Sequence, residues 1–209
     1  MPRNIDLRVP ALLASRLCHE LAGALTAVGN GAELLEAGDP ALGREAAALV
    51  RDSARKANAR LQFYRFAFGF AGSALTGPPP DRLAAGFFAG SAIECDYRPA
   101  LRAAETGQQK LACLMLSVAS DSLPRGGRLV AEADKGGIAV DASGPGDGPS
   151  PEMRAALLLA ATAGELSART IGGYYAALTA EALGLHLSLE DRPAGFRLGA
   201  APIPQHREP

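Results

Sequence analysis

The sequence contains little of what several common classes of protein require. It has no tryptophan, its aromatic residues make up 5% of 209 residues, and it has three cysteines. Cys18, Cys95 and Cys113 are odd in number, far apart and never in a CxxC arrangement, which disfavours both a disulfide framework and a zinc site. We therefore expect a chain without a bound metal, in the reducing environment of the cytoplasm.

The sequence also lacks an excess of one charge and any long apolar run. Lysine and arginine total 21 against 22 acidic residues, which disfavours a nucleic-acid binder because such proteins need a concentrated basic surface. The longest apolar runs, at residues 111–119 and 155–163, are about half the length of a membrane span. Residues 1–10 have no signal-peptide core. We expect a soluble protein that binds neither nucleic acid nor a membrane.

The first part of the chain has the periodicity of two long helices. The pattern predicts helices over residues 7–37 and 41–71, separated by Gly38, Asp39 and Pro40, which stop the first helix. Two long helices joined by a short turn form an antiparallel hairpin, and a hairpin alone cannot bury both of its apolar faces. The sequence therefore predicts a homodimer in which two hairpins form a four-helix bundle.

A proline run separates this hairpin from a second unit. Residues 77–80 read Gly-Pro-Pro-Pro, a semi-rigid spacer. After it the pattern predicts helices at 81–90, 105–122, 151–162 and 171–183, and strands at 92–97, 128–133, 137–141, 185–190 and 195–198. This order predicts an α+β protein, with a hairpin domain at residues 1–76 and a second domain at 81–201 in which helices cover one sheet.

One histidine has an unusual position on the first predicted helix. On a helical wheel, an apolar stripe is formed by Leu13, Leu17, Leu21, Ala24, Leu25, Val28 and Leu35, and His19 lies about 185° from its centre. The residues on the His19 side are small or polar: Ser15, Ala22, Gly23, Thr26, Asn30 and Glu33. Another protein can therefore approach the ring, whose nitrogen is a nucleophile near neutral pH. The carboxylate of Glu20 is placed to orient the imidazole or hold its proton.

The residues around His19 resemble a known group of signalling proteins. Residues 15–21, SRLCHEL, resemble the phospho-acceptor segment of sensor histidine kinases. Together with NGAELL at 30–35, they are similar to the ChpT-type histidine phosphotransferases of alphaproteobacteria. The same resemblance extends to SAR at 53–55, LQF at 61–63, Arg65, AFG at 67–69 and GFF at 86–88.

The resemblance implies a phosphorelay in a two-component system. His19 would take a phosphoryl group from the aspartyl phosphate of one receiver domain and pass it to the aspartate of another. The family's donor is a hybrid kinase of the CckA type, and its acceptors are response regulators of the CtrA and CpdR type that control the cell cycle. Mg²⁺ belongs to the receiver, so no cofactor is expected on this chain. The residues expected to dock the receiver are Ser15, Arg16, Gly23, Thr26, Asn30, Arg60, Phe63 and Arg65.

The second unit resembles a degenerate form of the ATP-binding domain of histidine kinases. Its matching helix at residues 110–122 has no asparagine to hold Mg²⁺, the glycines after Asp141 are displaced, and Tyr174 and Tyr175 follow the glycine pair at 172–173. We therefore expect no ATP binding and a role as a docking wall for the receiver. Two alternatives remain open: an ATP-dependent histidine kinase core with an atypical nucleotide site, and a non-catalytic adaptor that only docks receivers.

Overall fold

The computed structural model describes residues 6–38, 42–69, 77–134, 136–146 and 148–202. Its helices are α1 (Arg8–Glu36), α2 (Gly43–Ala67), α3 (Pro80–Phe88), α4 (Thr106–Asp121), α5 (Pro151–Leu157) and α6 (Ile171–Ala182). Its strands are β1 (Ile93–Tyr97), β2 (Gly127–Asp134), β3 (Gly137–Ser143), β4 (Leu185–Arg192) and β5 (Gly195–Pro202). The predicted turn residues 39–40, the predicted helical residues 70–71 and the tail from residue 203 lie outside the described residues.

Helices α1 and α2 pack along each other through small side chains. Ala46, Ser53 and Ala57 form a buried line on α2, at the spacing of one helix face. Gly31 of α1 lies so close to α2 that a Cβ atom there would be 2.7 Å from Cγ2 of Val50. The two backbones therefore approach closely over this stretch, which gives α1 a firm support.

The second unit contains one five-stranded sheet in the order β1-β2-β3-β5-β4. Strands β1 and β2 are parallel, and the other neighbours are antiparallel. Leu129, Val140 and Leu198 share the face that is buried in the core, whereas Arg197 lies on the opposite face, as the period of two requires. The chain is therefore a mixed α+β protein, as the sequence predicts.

Helix α4 lies at the centre of the core. Its residues from Lys110 to Ala119 are all buried, because α4 packs against β2 and β3 on one side and α2 and α3 on another. Phe63 and Phe66 of α2 belong to the same hydrophobic cluster as Met115 of α4. The helical pair of α1 and α2 and the second unit, called the sheet unit below, therefore share one core. Neither part buries its apolar surface alone.

Two predicted helices are too long. The predicted helix at residues 151–162 is wrong beyond Leu157, because Leu159 has a positive φ of 54° and a short 3-10 turn follows at Ala163–Glu165. Thr162 and Glu165 form the capping box of that turn, a signal that the sequence carries. Helix α2 ends at Ala67, and Lys110 Nζ donates a 2.6 Å hydrogen bond to the Gly69 carbonyl just after it.

The predicted apolar stripe of α1 is buried only in part. Leu13 packs against the cluster of Ala156, Leu166 and Ile171, and Leu17 packs against the main core. Further along, Leu25 is 57% exposed and Leu35 is 43% exposed. A single chain leaves these two leucines uncovered, because α2 covers only the neighbouring face of α1.

Within the described residues, α1 alone is long and apolar enough to cross a membrane by length and composition. This property is weak evidence for a membrane-spanning segment, because the helices of many globular proteins share the same length and composition. Arg16 and Glu20, in the N-terminal half of α1, form ion pairs with Asp121 and Arg60 of other elements. These pairs attach α1 to the rest of the fold.

Candidate functional site

The structure places His19 on the exposed side of α1. Ser15, Gly23, Thr26 and Asn30 lie along the same side and are also exposed, as the helical wheel predicts. A Cβ atom built on Gly23 would meet nothing within 4 Å. The imidazole therefore has free space around it on a rigid helix, and a partner's reactive group can approach it.

His19 borders a cleft of about 1000 Å³ between α1 and the second unit. The α1 side of the cleft consists of Ser15, Arg16, His19 and Glu20. The opposite side is formed by the end of α4, the loop before α5 and the segment before α6, including Asp121, Ser122, Arg125, Ser150, Arg169 and Thr170. The sequence predicts that the second unit forms a docking wall, but it identifies none of these six residues, because they lie more than 100 positions from His19.

Glu20 is held by α2. Arg60 Nη1 lies 3.0 Å from Oε2 of Glu20 and also donates a 2.9 Å hydrogen bond to the Glu20 carbonyl. The Arg60 guanidinium lies 5.9 Å from the centre of the Phe87 ring, within the range of a cation–π contact. The side chains of two predicted site residues, Glu20 and Arg60, are thus paired with each other, and the acidic group beside His19 has a fixed position.

Arg16 is buried, and its predicted place on an exposed docking surface is therefore wrong. Only 7% of the residue is exposed, and its Nη2 lies 2.6 Å from Oδ2 of Asp121. Its Nη1 also donates a 3.4 Å hydrogen bond to the Arg169 carbonyl. Burial by itself would lower the pKa of Arg16, but the Asp121 carboxylate more than offsets this and raises it. Arg16 therefore remains charged and joins α1 to the second unit.

Phe63 is also buried rather than exposed for docking. Its side chain is fully enclosed and stacks on Phe87, with ring centres 4.2 Å apart. It lies on the core side of α2 because that face must cover α3 and α4. Arg65, two residues later, is exposed as predicted.

The glycine pair in the first turn of α6 is closely packed. A Cβ atom on Gly172 would lie 3.4 Å from Cζ and Nε of Arg16. A Cβ atom on Gly173 would lie 2.7 Å from the sulfur of Met153 and 3.2 Å from Cγ of Leu157. The two glycines therefore permit close contact with α1 and α5, a use unlike that of a flexible phosphate-binding loop.

Asp141, which the sequence places in a remnant of an adenine-binding turn, lies in the interior of β3. Its carboxylate pairs with Arg197 of the neighbouring strand, which also contacts Glu132 and Asp134. The registers of β2, β3 and β5 put Asp141 on the sheet face opposite the core helices. Its side chain therefore does not point between the sheet and α4 or α6.

Other nucleophilic or acidic side chains near the core are poorly suited to proton transfer or attack. Burial, together with the nearby Glu20 charge, raises the pKa of Tyr64 to about 12. Burial, with a smaller contribution from Asp96, raises the pKa of Cys95 to about 12, and burial also raises the pKa of the Cys113 thiol. These groups stay neutral near pH 7, so none of them competes with His19 as a nucleophile.

Comparison with known proteins agrees with this architecture. Residues 80–195 match the family model of the histidine phosphotransferase C-terminal domain. The chain is 32% identical over 190 residues to the protein phosphotransferase ChpT of Brucella abortus (strain 2308), covering 88% of this chain and 90% of that protein. This chain belongs to the ChpT-type histidine phosphotransferase family.

A solved structure also resembles this ChpT-type chain over its whole length. The 1.7 Å structure of a bacterial phosphotransferase has a TM-score of 0.79 and 30% identity, covering 96% of this chain and 99% of the other. The similarity therefore includes the helical pair that carries His19 as well as the sheet unit. Family membership supports phosphotransfer as the activity.

Proposed function

We propose that this ChpT-type protein relays phosphoryl groups between receiver-domain aspartates through His19. A ring nitrogen of His19 attacks the phosphorus of an aspartyl phosphate, the bond from phosphorus to the aspartate oxygen breaks, and the free carboxylate leaves. The second transfer is the same reaction in reverse, onto the aspartate of another receiver. The observation that carries the proposal is the exposed imidazole, surrounded by small side chains, at the edge of a cleft of about 1000 Å³.

This division of labour suits the chemistry. Phosphoryl transfer needs in-line positioning and neutralisation of charge more than it needs covalent help from many groups. The receiver supplies its aspartate and Mg²⁺, so this chain has to present only a nucleophile on a rigid support. In the proposal, Glu20 orients the imidazole from the position that Arg60 gives it.

The proposed partners are receiver domains. The donor in this proposal is the receiver of a CckA-like hybrid kinase, and the acceptors are CtrA-like and CpdR-like response regulators in a cytoplasmic cell-cycle pathway. The receiver docks on the exposed residues Ser15, Gly23, Thr26, Asn30 and Arg65. Residues 1–76 carry the acceptor histidine, and residues 81–201 form the wall on the other side of the cleft.

We also propose a homodimer through α1 and α2. Exposed leucines on the two helices and at the residue before α2 support it: Leu25, Leu34, Leu35, Leu42, Leu49 and Leu61. On α1 the apolar residues Leu21, Leu25, Val28, Ala32 and Leu35, none of which is fully buried, follow steps of four and three, the spacing of a coiled-coil seam. A second copy would cover this surface and complete a four-helix bundle.

The proposal includes the loss of ATP binding, and therefore of autokinase activity. Arg16 fills the space beside Gly172, Met153 and Leu157 close off Gly173, and Asp141 is paired with Arg197 on the far face of the sheet. These contacts favour a relay protein over an ATP-dependent kinase core. A non-catalytic adaptor would need the same docking surface but no reactive histidine.

The experiment that tests the proposal is transfer of radioactive phosphate from a purified phospho-receiver. We expect the label to appear on the wild-type chain, to be lost in His19→Ala and to be kept in His186→Ala, which changes another exposed histidine. Label on His19→Ala would refute the assignment. Binding of receivers without any label on the wild-type chain would establish the adaptor instead.

A further inference from the structure

We infer that Arg16 and Asp121 form a latch that fixes the sheet unit against the acceptor helix and thereby sets how a receiver fits over His19. The inference rests on the proposed phosphotransfer function and assigns both residues a positioning role. Arg16 lies three positions before His19 on α1, and Asp121 ends α4 on the opposite side of the cleft. Their contact therefore joins the two walls of the cleft at the level of the acceptor histidine.

The position of Asp121 indicates that its charge serves this contact. A carboxylate at the last residue of a helix faces the negative end of the helix dipole, which is unfavourable by itself. Within the part of the chain that the structure describes, the cation that pairs with Asp121 is Arg16 of α1, at 2.6 Å. The opposite charge that Asp121 pairs with therefore comes from α1, so the carboxylate contributes to the contact between the two units.

The surroundings of Arg16 are shaped to receive its guanidinium. Gly172, at the start of α6, leaves room for it, since a Cβ atom there would lie 3.4 Å from both Cζ and Nε of Arg16. The Arg169 carbonyl accepts a hydrogen bond from Nη1. Two elements of the sheet unit, the end of α4 and the start of α6, are thus held by one side chain of α1.

Further contacts hold α1 against the sheet unit at the same place. Arg8 Nη2 donates a 3.2 Å hydrogen bond to the Leu166 carbonyl. Val9, Leu12 and Leu13 pack against the small cluster that contains Ile171. These contacts anchor the first turns of α1, and the Arg16–Asp121 pair is the ion pair of this group that lies nearest to His19 along the helix. Loosening the pair should therefore alter the width of the cleft without removing the acceptor group.

The test compares Asp121→Asn with Asp191→Asn. The matched control removes a carboxylate that pairs with Arg154 at 2.5 Å, also in the sheet unit but away from α1. Asp121→Asn keeps a hydrogen-bond acceptor for Arg16, so it is expected to fold, and Asp121→Glu keeps the charge as well. Folding is checked by circular dichroism. The contact between α1 and the sheet unit is measured by hydrogen exchange of residues 8–20 and 166–173.

For Asp121→Asn we expect faster exchange in both segments and a KM for the phospho-receiver raised about tenfold, with kcat within about twofold of wild type. Asp121→Glu should have exchange rates and a KM close to those of wild type, and Asp191→Asn should change neither quantity. An unchanged KM in Asp121→Asn despite faster exchange would overturn the latch, as would a fall in kcat alone. Absence of transfer by the wild-type chain would instead overturn the proposed function.

Discussion

Arg60 of α2 binds Glu20 of α1 twice, through the carboxylate at 3.0 Å and through the backbone carbonyl at 2.9 Å. The second contact adds a hydrogen bond to a backbone carbonyl of α1, one residue from His19. A single side chain thus fixes the position of α1 relative to α2 at the site itself. The pair is partly exposed, so its effect on stability is modest, but it restricts the carboxylate beside the imidazole.

Replacing Arg60 should show this role. Arg60→Ala removes both contacts to Glu20 and the contact with Phe87, and we expect the free energy of unfolding to fall by about 1 kcal/mol. The control is Arg55→Ala on the same helix, whose 3.6 Å pair with Asp52 is well exposed, with an expected change of about 0.5 kcal/mol or less. Urea unfolding measures both, and equal effects would contradict the assigned role of Arg60.

Two glycines on α1 should respond in opposite directions to the same substitution. Gly31→Ala places a Cβ atom 2.7 Å from Val50 Cγ2 and 3.3 Å from the Ala46 carbonyl, so we expect destabilisation by about 1–2 kcal/mol. Gly29→Ala meets nothing within 4 Å and should stabilise by about 0.5–1 kcal/mol, because alanine is the better helix former. Thermal unfolding measures both changes. A stabilising Gly31→Ala would show that α1 and α2 lie further apart than they do in the structure.

The proposed dimer makes a prediction about exposed leucines. Light scattering of the wild-type chain at micromolar concentration should give about twice 21.5 kDa. Leu25→Glu places a charge on the uncovered side of α1 and should give a monomer. Leu158→Glu, at a leucine of similar exposure in the sheet unit (53% against 57%), should leave the dimer intact. A monomeric wild-type chain would refute the dimer, and a dimeric Leu25→Glu would place the interface elsewhere.

Nucleotide binding should be absent. We expect isothermal titration with Mg-ATP to show no binding up to the millimolar range, because Arg16, Met153 and Leu157 occupy the space around Gly172 and Gly173. An active histidine kinase domain serves as the positive control in the same buffer. A micromolar affinity would favour the alternative of an ATP-dependent kinase core.

The thiols should differ in reactivity. Cys18 is exposed, whereas burial raises the pKa of Cys95 to about 12 and also raises that of Cys113. At pH 8 a thiol reagent should therefore modify one cysteine quickly and the other two slowly, since the thiolate is the reactive form. The rapid phase should disappear in Cys18→Ser. Rapid reaction of two or three cysteines in the folded chain would contradict the raised pKa of Cys95 and the burial of Cys113.

Local patterns predicted much of the secondary structure. The period of 3.6 residues located α1 and α4 within one or two residues at each end, and alternation located the strands. The helix at 151–162 was overestimated because alanine and leucine favour a helix there, and the positive φ of Leu159 depends on packing. The exposure of His19 and its small neighbours also followed from periodicity, since the side of a helix that carries no large apolar residue faces away from the core.

By itself, the sequence determined that His19 lies on the exposed side of a long helix among small or polar neighbours, because helical spacing and the residues around His19 are local properties. Only the tertiary structure decided that Arg16 is buried against Asp121 and that Phe63 stacks on Phe87. An arginine at the border of an apolar stripe is buried only if a distant residue supplies the opposite charge. Residue 121 comes next to residue 16 through the packing of α1, α4 and α6, which no pattern along the chain encodes.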